Sequence, residues 1–276
     1  MATNKILSWI AAGLLLGATV AHAGEKEQRR TVDLVICLDT SGSMKGLLDS
    51  ARRKIWTIVN DLALAKPTPR LRVALLTFGN HGNDEAAGWV RVESGLTEDL
   101  DLISKRLFAL TTNGGTEYVG RVMRTGLEKI QWQEDTNALK LMVVAGNESA
   151  DQDKAVSFRE MARKAIARGI MVNSIYCGNP ADNIAPGWQE IAKLSDGHFA
   201  AIDQNRGTVN IATPFDAKLA ALSASLNKTY IPFGDGGERG KNAQSAEDKN
   251  AIGAGSAAGR ARSKSTKLYY CSWCLV

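Results

Sequence analysis

The chain has 276 residues, 44% of them hydrophobic and 23% charged, which excludes disordered and fibrous classes and suits one domain of about 200 residues plus extensions. The formal net charge is +5, but residues 235–276 hold seven basic against four acidic side chains. The body is therefore nearly balanced and gives no electrostatic reason to expect a nucleic-acid partner.

Lys5 is the only charge before an apolar run over residues 6–20, and Ala21-His22-Ala23 follows it. Small residues two apart after a short apolar stretch form a signal-peptidase site, so residues 1–23 read as a signal peptide and the mature chain is expected to begin near Gly24. A retained membrane anchor is the alternative, yet the run is shorter than the roughly 20 residues a spanning helix needs. Export places the protein in the periplasm or outside the cell. After cleavage, residues 24–30 are a lead and residues 31–230 the body, with a Gly/Ala/Ser-rich basic tail over 231–276.

The body alternates strand and helix. Val32-Asp-Leu-Val-Ile-Cys-Leu38 is a short apolar run without strict alternation, as expected of a strand buried on both faces. Ser43 is placed to cap a helix whose apolar stripe is Leu47, Leu48, Ala51, Ile55, Ile58, Val59 and Leu62. A second strand covers 71–78, and a turn-rich loop follows. Trp89-Val-Arg-Val-Glu93 has edge-strand character. Helices are expected over 97–110 and 117–132, a strand over 139–145, a helix over 153–168 and a strand over 170–176. A short helix over 188–194, a strand over 198–202 and a helix over 216–226 complete the body. This order predicts an α/β fold, a mostly parallel, doubly wound, Rossmann-like sheet with helices on both faces. In such sheets ligands bind beyond the carboxyl ends of the strands, where strand order reverses.

Asp39-Thr-Ser-Gly-Ser43 stands at the end of the first strand. A hard divalent cation takes oxygen ligands in near-octahedral geometry, and Asp39, Ser41 and Ser43 offer a carboxylate and two hydroxyls at alternate positions of one turn. Gly42 lets the turn close. The alternative for these residues is a helix cap that satisfies free amides.

Asp-x-Ser-x-Ser after a buried strand, followed by an amphipathic helix, resembles the metal-ion-dependent adhesion site (MIDAS) of von Willebrand factor type A (vWA) domains. The resemblance covers roughly residues 31–228. It implies one antiparallel edge strand in the sheet. It also implies one bound divalent cation (Mg, or Mn or Ca) and a further ligand from a later loop, for which Thr116 of Thr111-Thr-Asn-Gly-Gly-Thr116 is the candidate. The cation would keep one position open for an Asp or Glu of a partner protein. Loops 79–88, 113–118, 148–153 and 178–186 would set specificity. The family's Thr-Asp-Gly aspartate after the fourth strand is missing: Ala145-Gly-Asn-Glu148 stands there, and Gly146 aligns with the acid. Asn147 or Glu148 would have to substitute, directly or through water; otherwise the site holds a single protein carboxylate.

The function expected on this resemblance is a divalent-cation-dependent protein-binding module of the bacterial cell envelope, not an enzyme. A vWA scaffold with a degenerate, metal-free interaction site is the alternative. Two enzymatic readings rank below these. Ser41 or Ser43 as nucleophile needs a base, and only His81 and His198 remain after signal cleavage. Cys271-Ser-Trp-Cys274 has redox spacing but lacks the strand-to-helix scaffold such pairs use. A disulfide ranks first for this pair, and Cys37 and Cys177 read as buried thiols. The terminal Tyr269…Ser272-Trp-Cys-Leu-Val276 resembles the Tyr…Ser-Trp-Asp-Leu-Val ending of some bacterial vWA proteins, with Cys274 replacing the acid. Trp273 and Leu275 are expected to dock on the body and make the tail a strap.

Overall fold

In the computed structural model, Thr31–Asp39 form strand β1, and all nine residues are buried. Val35 and Cys37 pack on one face of the sheet, and Val32, Leu34, Ile36 and Leu38 pack on the other. Coverage on both faces removes the need for polar alternation, which is why the run is continuously apolar. The structure describes residues 30–63, 65, 67–202, 216–234, 236–253, 261 and 274–275. The expected signal segment and, in the terminal patch, Tyr269, Cys271 and Trp273 lie outside the described residues.

A 3-10 turn at Gly42–Met44 follows β1. The remaining elements are α1 (Leu48–Ala63), β2 (Arg70–Phe78), β3 (Arg91–Thr97), α2 (Leu100–Ala109), α3 (Val119–Lys129), β4 (Leu139–Gly146), α4 (Phe158–Ala167), β5 (Ile170–Tyr176), α5 (Ala185–Leu194), β6 (Phe199–Ala201), α6 (Asp216–Asn227), β7 (Ile231–Pro232), α7 (Gly237–Gly253) and β8 (Cys274–Leu275).

Six strands form one sheet in the order β3-β2-β1-β4-β5-β6. All neighbours are parallel except β3, which runs antiparallel to β2 at the edge. The expected doubly wound α/β class with one antiparallel edge strand is the observed one. Helices α1 and α2 cover one face through Ala51, Ile55, Trp56, Val59, Ile103 and Leu107. Helices α3, α4 and α5 cover the other through Val122, Met123, Met161, Ala162, Trp188 and Ile191. Ile55 and Ile103 are almost wholly removed from water, each contributing about 1.5–3 kcal/mol. Strand order reverses between β1 and β4, so their carboxyl ends, Asp39 and Gly146, flank the crevice where such folds bind ligands.

At the opposite end of the sheet, Asp33 on β1 faces its register partner Arg72 on β2. Arg72 donates through Nε and Nη2 at 2.8 and 2.7 Å, and the Gln133 amide donates at 2.7 Å. A buried charge persists in a core only when paired and hydrogen-bonded, as Asp33 is.

Several boundaries differ from the sequence expectation. Ser43 caps no helix: it lies in the 3-10 turn, and α1 starts at Leu48. The edge strand begins at Arg91, because Trp89 takes a φ of 56° and ends the preceding turn. Helix α3 starts at Val119 rather than at Glu117. In the tail, α7 packs against α6 and α2. Ser104 of α2 donates to Glu247 at 2.9 Å in a buried contact, and Asn227 donates to Asp248 at 2.7 Å. β8 pairs antiparallel with β7, which ties Cys274 and Leu275 to Pro232 and Ile231.

Candidate metal centre

The carboxyl end of β1 carries Asp39, fully buried, into the crevice. Its Oδ1 accepts the Ser41 amide at 2.7 Å, a two-residue turn that side-chain carboxylates favour. The Ser41 and Ser43 hydroxyls are 2.9 Å apart, and Ser43 donates to Asn147 Oδ1 at 3.0 Å. The turn thus links the ends of β1 and β4 through side chains.

Loop 111–118 lies over the same turn. Asn113 donates its amide to the Thr40 carbonyl at 3.0 Å, and Gly42 donates to the Gly114 carbonyl at 2.9 Å. Thr116 forms an isolated β-bridge with Gly79, the first residue after β2. Gly79 has a φ of 78°, and a Cβ there would lie 2.8 Å from Asp39 Oδ1. The position needs glycine both for backbone conformation and for space.

Asp39, Ser41 and Ser43 therefore meet on one turn. Thr116 reaches the site through its backbone, while its Oγ1 contacts His81 Nε2 at 3.2 Å. His81 stacks at 5.0 Å on Trp89, which in turn stands 5.7 Å from Tyr118, and Arg121 lies 4.5 Å over the Tyr118 ring. These rings form an aromatic wall beside the turn. Asn147 touches the site through Ser43, whereas Glu148 is exposed and its carbonyl accepts the Trp188 indole N–H at 2.9 Å.

Glu117 is the site residue that sequence reasoning missed. It is 2% exposed. Its amide donates to Gln152 Oε1 at 3.1 Å, and Gln152 Nε2 donates back to its carboxylate at 3.0 Å. An acid next to a Gly-Gly-Thr loop was the available signal. Two carboxylates, Asp39 and Glu117, are therefore buried beside the turn.

Both acids are held above the ordinary carboxylate range. For Asp39 the first cause is burial and the second the charge of Glu117; the Ser41 amide and hydroxyl and the Asn147 amide oppose them. Burial also leads for Glu117; the Ser41 hydroxyl opposes it, the charge of Glu148 adds to it, and Gln152 and Ser43 oppose it. Asp39 Oδ2 is buried and makes no hydrogen bond of ordinary geometry. An unsatisfied buried carboxylate oxygen beside two hydroxyls fits a hard cation that prefers oxygen donors. Among the described residues no three His, Cys, Asp or Glu side chains converge, so hydroxyls are needed to complete a ligand set.

The enzymatic alternatives gain nothing from this geometry. His81 Nε2 contacts Thr116, while Ser41 and Ser43 bond each other. Cys37 and Cys177 are buried thiols, and burial raises both above the ordinary range.

A Rossmann-like domain with acids and hydroxyls at its topological switch point belongs to the class that binds partners at the carboxyl edge of the sheet. The family model described as von Willebrand factor type A domain matches residues 33–211, and the chain belongs to that family. Proximal thread matrix protein 1 from the mussel byssus, solved with a zinc-occupied MIDAS motif, superposes with a TM-score of 0.52 at 14% identity. Another crystal form of that protein gives a TM-score of 0.50, also at 14% identity. The matches cover 64% of this chain and 43% of the mussel protein. A von Willebrand factor type A protein from Catenulispora acidiphila aligns at 16% identity with a TM-score of 0.49, over 64% of this chain and 40% of its own. No curated protein matches the sequence. Domains of the family generally mediate protein–protein interaction and metal-dependent adhesion.

Proposed function

We propose that the chain is a divalent-cation-dependent protein-binding module of the bacterial cell envelope. Asp39, Ser41, Ser43 and Thr116 hold one magnesium, manganese or calcium ion, and an Asp or Glu of a partner protein completes its coordination. The observation that carries this reading is Asp39 Oδ2, a buried carboxylate oxygen without a hydrogen bond of ordinary geometry beside the Ser41–Ser43 pair. A bound cation removes that cost and supplies an electrophile to an incoming carboxylate. The family's metal-dependent adhesion and the zinc-occupied motif of the mussel protein support the same reading. His81, Trp89 and Tyr118 form a ready rim for the partner, since aromatic side chains give large contact area at low entropic cost.

The Ala21-x-Ala23 pattern after the apolar run supports export, to the periplasm or beyond. Among the described residues no helix is long and apolar enough to cross a membrane. Protein exported by a bacterial host is expected to begin at or near Gly24 on N-terminal sequencing. A mature chain that keeps Met1 contradicts the export reading.

A metal-free interaction site is the second reading. It is favoured by the hydroxyls being partnered within the protein: Ser41 with Ser43, Ser43 with Asn147, and Thr116 with His81. Thermal unfolding separates the two. The cation reading predicts a melting temperature that rises with millimolar manganese and falls back with chelator. No shift with manganese, magnesium or calcium favours the metal-free site.

A further inference from the structure

We propose that Glu117 supplies the second carboxylate of the cation site, delivering from loop 111–118 the acid that the end of β4 cannot provide. The inference rests on the cation reading above and names a ligand that the Asp-x-Ser-x-Ser pattern does not contain.

Three observations carry it. First, Glu117 and Asp39 bracket one small volume: a Cβ built on Gly79 would lie 2.8 Å from Asp39 Oδ1, 3.0 Å from Glu117 Cγ and 3.2 Å from Ser41 Cβ. Second, neither acid has a cationic side chain to balance it among the described residues. The nearest partners of Glu117 are the Gln152 amide and the serine hydroxyls, and Asp39 Oδ2 has no hydrogen bond of ordinary geometry. Two adjacent buried acids repel when ionised, and a divalent cation between them offsets both charges at once. Third, the β4 side is closed. A Cβ on Gly146 would lie 3.0 Å from Trp188 Cη2 and 3.2 Å from Asp39 Oδ2, and Trp188 is held there by its indole bond to the Glu148 carbonyl. A side chain rooted at Gly146 would have to displace Trp188 or Asp39 by a few tenths of an ångström, while Glu117 already stands beside Asp39.

The consequence is a cation clamped between two loops. Asp39 and the serines hold it from the β1 turn, and Thr116 and Glu117 hold it from the loop bridged to Gly79. Binding would fasten loop 111–118, together with the Tyr118 edge of the aromatic wall.

The test uses the full chain, manganese as probe, and the variants Glu117→Gln and Asp39→Asn. Manganese affinity is measured by the loss of the free-ion paramagnetic resonance signal. The expected result is at least tenfold weaker binding in Glu117→Gln, with a melting temperature in chelator equal to or above that of the parent. The second readout separates a ligand from a structural acid: Gln keeps an acceptor for Gln152 and removes the charge. Parent-like affinity in a folded Glu117→Gln variant, with binding lost in Asp39→Asn, overturns the role of Glu117 and leaves the cation reading standing. No manganese uptake by the parent overturns both. Should Glu117→Gln not fold, a manganese-soaked crystal of the parent decides. Glu117 within about 2.2 Å of the ion supports the assignment, and an ion coordinated by Asn147 or Glu148 instead contradicts it.

Discussion

Trp188 closes over Gly146: its Cη2 lies 3.0 Å from where a side chain on that glycine would begin. The indole N–H donates to the Glu148 carbonyl at 2.9 Å, which holds the ring in that position. This packing leaves little space for a side chain after β4, at the position of the family's aspartate. Gly146→Asp is therefore expected to destabilise the chain rather than to rebuild the family motif. The new Cβ has no φ strain to overcome, but it must push aside a fully buried ring and set a charge against Asp39. Overpacking of this kind costs about 1–3 kcal/mol. Urea denaturation in chelator checks it; unchanged stability would show that Trp188 yields.

The pH dependence has a definite sign. Burial, followed by the charge of Glu117 on Asp39 and the charge of Glu148 on Glu117, raises the pKa of both acids in the folded chain above the unfolded range of about 4. A group raised in this way favours folding fully below its unfolded pKa and loses that contribution as pH rises through the folded value. In chelator, Asp39→Asn should therefore gain stability relative to the parent as pH rises above about 4. Cation should narrow that gap, and parent affinity for manganese should increase with pH as the protons leave. Melting curves of both proteins across pH, with and without manganese, measure the effect. A gap that shrinks with pH in chelator would contradict the assignment.

Much of this architecture was legible in the sequence because it rests on apolar spacing. The alternate faces of β1, the stripe on α1 and the position of Asp39 at a strand end all follow from which residues must leave water. What escaped the sequence was first of all polar groups that are buried by tertiary context. Glu117 stands beside a helix start, where acids usually complement free amides, and only the fold brings it against Asp39. Helix α7 has few large apolar residues, so composition alone left its packing open. It docks through Gln244, Glu247 and Asp248, all buried. Trp89 was read into an edge strand from alternation alone, since a positive φ at a non-glycine residue leaves no mark in hydropathy.

At the amino end of the sheet, Asp33→Ala should cost about 3–5 kcal/mol, because it strands Arg72 and removes the acceptor of the Gln133 amide. Cation affinity should not change, since the pair sits at the opposite end of β1 from Asp39. Chemical denaturation and manganese titration of the same variant check both halves; weakened binding would mean that the two ends of the strand are coupled.

Removing residues 268–276 deletes β8 and leaves Ile231 and Pro232 without their ladder partners. Because the ladder is two residues long, the loss should be modest, on the order of 1 kcal/mol, and should appear as a lower melting temperature and faster proteolysis within 231–253. Equal stability and equal cleavage rates would show that the terminus contributes nothing as a strap.

The central claim is that Asp39 anchors a divalent cation, and calorimetric titration of manganese into the full chain beside Asp39→Asn tests it most directly. The expected outcome is one ion bound per parent chain and no measurable uptake by a folded Asp39→Asn variant. Equal uptake by the two proteins, or none by the parent, would contradict it.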